Sequence, residues 1–260
     1  MTRVLSALAL LPIVVGIIWF LAPIWTLVLV EALLVIALLE YANLVSHVGC
    51  PISRAPTIIG AIVTCAAVAL APMALPAVLM LSFTLVGGSE LIRGRPPSLL
   101  ASVAASVMAV VYLAIPCGAV VALGYANGRE TVLMFVLTVM ASDTVQYYGG
   151  RAFGRRRLAP SLSPGKTVEG ALSGVVAATV VMLVVGEWWF TSMHPAGRAL
   201  LGLTMAVFGI AGDLFESGLK RAASLKDASA LIPGHGGVLD RIDAFIFAVP
   251  VYYVAVLWFL

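Results

Sequence analysis

Apolar runs of membrane-crossing length recur from one end of the chain to the other, and no other feature constrains its fold as tightly. A span needs roughly 20 apolar residues, fewer where neighbouring helices shield it. Reading between polar, proline and glycine punctuation gives nine candidates: Val4–Phe20, Ile24–Leu44, Ile58–Ala71, Leu75–Val86, Ser102–Leu123, Thr131–Gln146, Gly170–Phe190, Leu200–Ile210 and Ala244–Leu260. Composition agrees on the solvent. Hydrophobic residues make up 62% and charged residues 10%, with a mean hydropathy of +1.10, against about 45–50% and about 25% in soluble domains. So few charges cannot cover the water-facing surface of 260 residues. The fold expected is all-α: a polytopic integral membrane protein with about nine transmembrane helices.

Two details of the layout stay open. The third and fourth runs are short, with Pro72 and Pro76 between them, so one broken helix is the alternative there. The first run, preceded by Arg3, looks like the start of a signal peptide. Apolar segments continue throughout, however, and it is read as the first span.

Lysine and arginine positions test the layout through the positive-inside rule. With the loop near 147–169 cytoplasmic, nine spans put all but Arg129 and Arg198 of the 15 Lys and Arg residues on that side, which is 15 less two, or 13. The N-terminus is then cytoplasmic, in the inner (plasma) membrane of a cell. Residues 1–260 read as a single membrane domain, with 1–140 mostly scaffold and lipid-facing spans and 141–260 the half that carries chemistry. The three cysteines, Cys50, Cys65 and Cys117, fit neither a metal motif nor a disulfide framework and read as small apolar fillers.

Polar residues gather in three clusters at the expected cytoplasmic ends of spans. The first begins at Asp143, which closes an apolar run, and continues through Tyr147, Gly150 and Arg151 to the Arg155–Arg157 triplet. A carboxylate at a membrane boundary is costly and usually functional, although a solvated helix end gives the same pattern. The second cluster runs Ser163-Pro164-Gly165-Lys166-Thr167-Val168-Glu169-Gly170. A hydroxyl capping the next helix, backbone N–H groups at its start and Lys166 beside them suit a phosphate; a simple capped loop is the alternative. It is not a P-loop, because position 160 is proline and no strand is expected before it.

The third cluster carries the most information. In a helix over 210–221, Asp213, Glu216, Ser217 and Lys220 share one face by their i, i+3, i+4 and i+7 spacing. Lys226-Asp227 and Pro233-Gly234-His235-Gly236-Gly237 follow, then Asp240-Arg241-Ile242-Asp243, with two acids three apart at the entrance to the last span. Gathered carboxylates repel one another unless a cation sits between them, and Mg²⁺ takes carboxylates, waters and phosphate oxygens. Lys220, Arg221, Lys226 and Arg241 supply charge to neutralise a polyphosphate. The glycines suggest close backbone approach to a ligand. His235 reads as a metal ligand, a phosphate donor, an acid/base or a turn residue, with the donor role favoured. With His47 and His194 far away in sequence, a histidine zinc site is not available.

On these residues the chain resembles the phosphatidate cytidylyltransferase (CDP-diacylglycerol synthase) family. Ser217, Lys220-Arg221, Lys226-Asp227, Pro233, His235-Gly236-Gly237 and Asp240-Arg241 with Asp243 match its C-terminal signature in order and spacing. The Ser163–Gly170 and Asp143–Arg151 segments are also similar, and Arg3 and Glu40-Tyr41 weakly so; Gln146 departs from the small residue common in relatives. The resemblance implies transfer of CMP from CTP to phosphatidate, giving CDP-diacylglycerol and pyrophosphate. It further implies Mg²⁺, a second cation such as K⁺, and a homodimer; no nucleic acid is involved. Asp213 and Asp240 are the implied principal metal ligands, with Asp143 and Asp243 in support. Asp143, Lys166, Lys220, Arg221 and His235 are the candidate catalytic residues. Ser163, Lys166, Thr167, Ser217, Lys220, Arg221, Lys226, Gly236, Gly237 and Arg241 are the candidate substrate contacts. A transporter is the rival from another class, but it predicts polar pairs midway through spans or inverted repeats. A cytidylyltransferase acting on another lipid phosphate is the closer rival.

Overall fold

A computed structural model describes residues 12–94, 98–229 and 236–259. Arg3, Arg95, His235 and the first part of the Val4–Phe20 run lie outside the described residues. Helix α1 is described over 12–20 and is followed by α2 (Pro23–His47), α3 (Arg54–Leu70) and α4 (Leu75–Ile92). Next come α5 (Leu99–Ala109), α6 (Ile115–Asn127) and α7 (Arg129–Phe153). A short hairpin, β1 (Arg157–Ala159) and β2 (Ser163–Thr167), precedes α8 (Val168–Val184), α9 (Gly186–Trp189), α10 (Pro195–Ala222) and α11 (Leu239–Phe259).

By length and hydropathy, six helical stretches among the described residues can cross a membrane: Pro23–His47, Pro72–Ile92, Leu99–Asn127, Val168–Trp189, Pro195–Ala222 and Leu239–Phe259. The expected nine also counted α1, α3, which has only 17 residues, and α7, whose last third is polar. The all-α membrane class therefore stands, and six of the nine expected spans meet both criteria among the described residues. The hairpin is an addition that sequence did not anticipate.

Prolines explain several boundaries. Pro72 and Pro76 sit in the first turns of a 3₁₀ segment and of α4, where the missing N–H would have no partner anyway. They start helices and do not break one, so α3 and α4 form an antiparallel pair. Ser53 N–H donates to Glu90 Oε1 at 2.7 Å at one end, and Thr64 meets Ser82 at 3.4 Å further along. A π segment, Val110–Ala114, joins α5 to α6 just before Pro116, whose ring cannot take part in regular i→i−4 bonding.

Packing divides the chain into two compact units. One takes the residues up to Tyr125 together with Leu219–Ile242, and the other takes Ala126–Gly218 with Asp243–Leu260. In the first, α2 packs on α3 and the π segment, and Gly118 meets the Cys65 carbonyl so closely that a Cβ would lie 2.5 Å from it.

In the second unit α7 and α8 run antiparallel along a seam of small residues, the usual device for close helix approach in lipid. A Cβ on Gly170 would lie 2.7 Å from the Gln146 carbonyl oxygen, and one on Gly174 3.0 Å from that of Ser142. Tyr252 of α11 donates to the Thr131 carbonyl of α7 at 2.7 Å. Helices α10 and α11 cross at Gly212, where a Cβ would lie 2.5 Å from the Asp243 carbonyl oxygen and 2.8 Å from Phe247 Cβ. Neither neighbour is a flexible tip. Gly212→Ala is therefore expected to cost about 1–3 kcal/mol through overpacking, read as earlier thermal unfolding in detergent; an unchanged melting curve would show that the crossing is not tight.

Candidate functional site

Each unit holds one polar cluster built from the residues singled out above. In the second unit, Asp213 and Glu216 lie one turn apart on α10, and Asp243 lies on α11. The close crossing at Gly212 brings the Asp243 backbone against α10. One carboxylate oxygen from each of the three lies within 4.8 Å of the others. Asp213 is partly exposed, while Glu216 and Asp243 are buried at 0% and 7% exposure. At such separations three negative charges repel strongly in a low-dielectric setting.

One compensating charge is supplied by the chain itself. Lys166, at the end of β2, forms an ion pair with Asp213. Its position follows from the local sequence. Thr167 caps α8, its Oγ1 accepting from Gly170 N–H at 3.1 Å. Glu169, in the first turn, accepts from Arg155 N–H at 2.9 Å and Arg156 N–H at 3.2 Å, tying the arginine segment to the start of α8. Arg157 Nη1 donates to the Pro164 carbonyl at 2.5 Å across the hairpin. The hairpin and the cap together fix the Ser163–Gly170 segment, which sequence read as suited to a phosphate with a simple capped loop as the alternative.

Asp143 is exposed on α7, and with Thr138, Val139, Ser142, Met205, Ala206 and Gly209 it lines a small cavity. It is not one of the three grouped acids.

The first unit holds the second cluster. Asp240, in the first turn of α11, is also not one of the three. Its Oδ1 accepts from Lys220 Nζ at 2.5 Å, and its Oδ2 from Gly237 N–H at 2.7 Å and Ala228 N–H at 3.1 Å. Both partners of the ion pair are largely buried, with side chains 12% and 8% exposed. The glycines do make close backbone contacts, but to carboxylates of the protein. Gly236 has φ +76°, and a Cβ there would lie 2.7 Å from Asp240 Oδ2, while one on Gly237 would lie 2.5 Å from both Glu40 oxygens. Arg221, Lys226 and Arg241 are exposed; Ser217, which belongs to the second unit, is buried in α10. Arg221 Nη1 reaches the Leu225 carbonyl at 3.3 Å.

Two acids escaped the sequence assignments. Glu216 was placed on the right face but given no role. Glu40 was noticed as an ionisable residue within the second apolar run and as part of a weak likeness, but was given no role; a carboxylate inside an apolar run was the available signal.

The donor set of Asp213, Glu216 and Asp243 is all carboxyl oxygen, which fits a hard divalent cation such as Mg²⁺ and not a thiophilic one. The model of the cytidylyltransferase family matches residues 1–259. A phosphatidate cytidylyltransferase of Pseudomonas aeruginosa is 42% identical over 134 residues, covering 51% of this chain and 48% of that protein. One from Haemophilus influenzae is 40% identical over 130 residues, covering 48% and 45%. The uncharacterized protein YnbB of Escherichia coli is 39% identical over 128 residues, covering 49% and 43%. The chain spans about half the length of the curated relatives it matches.

Proposed function

The chain belongs to the cytidylyltransferase family, and from that premise we propose that it transfers CMP from CTP to phosphatidate, giving CDP-diacylglycerol and pyrophosphate. The observation that carries the proposal is the acid group Asp213, Glu216 and Asp243 with Lys166 paired to Asp213. The names of the relatives from Haemophilus influenzae and Pseudomonas aeruginosa support the choice of acceptor.

In the proposed reaction a phosphate oxygen of phosphatidate forms a bond to the α-phosphorus of CTP. The bond from that phosphorus to the bridging oxygen breaks, and pyrophosphate leaves with the electron pair. The nucleophile is already an anion near neutral pH, so no strong general base is needed. The obstacle is bringing two anions together, and the work of the protein is positioning and charge stabilisation.

Asp213, Glu216 and Asp243 would hold Mg²⁺, which supplies neutralisation of the developing negative charge on phosphate oxygens when bound. Lys166, fixed by the hairpin and the Thr167 cap, presents a cation beside this group. Lys220, held by Asp240, and Arg221 are the further phosphate-binding candidates. Crossing of the membrane by nine helices, an inner-membrane location with the site facing the cytoplasm, and a homodimer belong to the same proposal.

A panel of lipid acceptors with radiolabelled CTP and purified protein tests it. Magnesium-dependent labelled CDP-diacylglycerol is expected with phosphatidate, and little product with polyprenyl phosphate or ether-lipid phosphate. Pyrophosphate release that requires CTP but runs equally well without lipid phosphate would refute the acceptor and with it the proposed function.

A further inference from the structure

Glu40 lies near the end of α2 and is 6% exposed. A carboxylate buried there is costly unless its lone pairs are filled. Donors distant in sequence fill them. Oε1 accepts from Ser229 Oγ at 2.6 Å and from Val238 N–H at 3.0 Å, and Oε2 accepts from Leu239 N–H at 2.7 Å. Leu239 begins α11 and Val238 immediately precedes it, at a helix start where N–H groups have no partner within the helix and negative charge is favoured. Glu40 is thus a helix cap supplied from 198 and 199 residues away.

The capped turn does more than begin a helix. It carries Gly237, whose bare Cα permits the approach of Glu40, and whose N–H donates to Asp240 Oδ2 at 2.7 Å. Asp240 in turn holds the Lys220 ammonium at 2.5 Å. Glu40 grips this turn from α2, and Asp240 grips it from within. All of these residues belong to one unit.

We propose that Glu40 is a positioning residue: its carboxylate fixes the Gly237–Leu239 turn, and through it the Asp240–Lys220 pair. The consequence for turnover rests on the proposed cytidylyltransferase activity, whereas the grip on the turn does not.

The test compares wild-type protein with Glu40→Gln and Glu40→Asp in lipid nanodiscs, by steady-state kinetics and by amide exchange. Glutamine turns an amide N–H₂ towards backbone donors, so one of the two N–H groups loses its acceptor. Exchange at Val238 or Leu239 should accelerate at least about tenfold. Misplacement of about 1 Å at a reacting centre costs about 10²-fold in rate, so kcat should fall by about that factor while KM for CTP stays within about threefold. Glu40→Asp keeps both acceptor oxygens on a shorter stem and should recover part of kcat. A purely structural cap would lower the amount of folded enzyme and leave kcat per folded molecule unchanged. That outcome, or normal exchange at Val238 and Leu239 in Glu40→Gln, overturns the proposal. If wild-type protein makes no CDP-diacylglycerol, the functional reading fails instead, and the exchange data still decide whether Glu40 holds the turn.

Discussion

Glu216→Gln and Asp243→Asn are each expected to lower turnover by about 10²–10³-fold, the range seen when one stabilising group is removed from a reaction centre. Both residues are buried, and with Asp213 they form the acid group. Neither substitution changes side-chain size appreciably, and each removes one of three like charges. If the group is a cation site, stability without Mg²⁺ should stay the same or rise, because repulsion is relieved. Stabilisation by Mg²⁺ should shrink at the same time. A cation present at a hundredfold its Kd stabilises the folded state by about 2.7 kcal/mol, so weakened binding appears as a smaller Mg²⁺-dependent rise in melting temperature. Lys166 makes Asp213 the less clean choice, since its removal strands a cation. Should both variants keep the full Mg²⁺ response, the acids are structural and the metal lies elsewhere.

What sequence could show here was set by distance along the chain. The shared face of Asp213, Glu216 and Lys220 was legible because helical periodicity is local, and α10 runs unbroken through all three. The membrane class was legible because burial in lipid requires whole apolar runs. The partners of Asp240 and Asp243 were not legible. Three residues apart at the start of α11, they look equivalent in sequence, yet Asp240 takes Lys220 and two backbone donors while Asp243 joins Asp213 and Glu216. Which way each points depends on the close crossing at Gly212 and on the turn held by Glu40, and both are long-range. The β1–β2 hairpin was illegible for another reason. Its second strand reads Ser-Pro-Gly-Lys-Thr, with almost none of the β-branched or aromatic residues that mark strands; its pairing with Arg157–Ala159 and the Glu169 carboxylate hold it instead. The count of spans depended on α7, where an apolar start leads into a polar end within one continuous helix.

Breaking the Lys220–Asp240 pair separates structure from chemistry most sharply. Each side chain is largely buried, so removing one partner leaves an uncompensated charge, at a cost of about 3–5 kcal/mol. Lys220→Met and Asp240→Asn should therefore both lower the melting temperature and both lose turnover by about 10²-fold or more. The double variant tells the two effects apart. With both charges gone, no charge is stranded, and stability should return most of the way towards wild type, as it does when buried pairs are replaced by neutral groups. Turnover should not return, because the Lys220 ammonium proposed to meet phosphate is absent. A double variant that regains both would make the pair a structural strut of the Leu219–Ile242 segment. One that regains neither would mean that the Gly237 and Ala228 donors on Asp240 contribute more to this fold than the ion pair does.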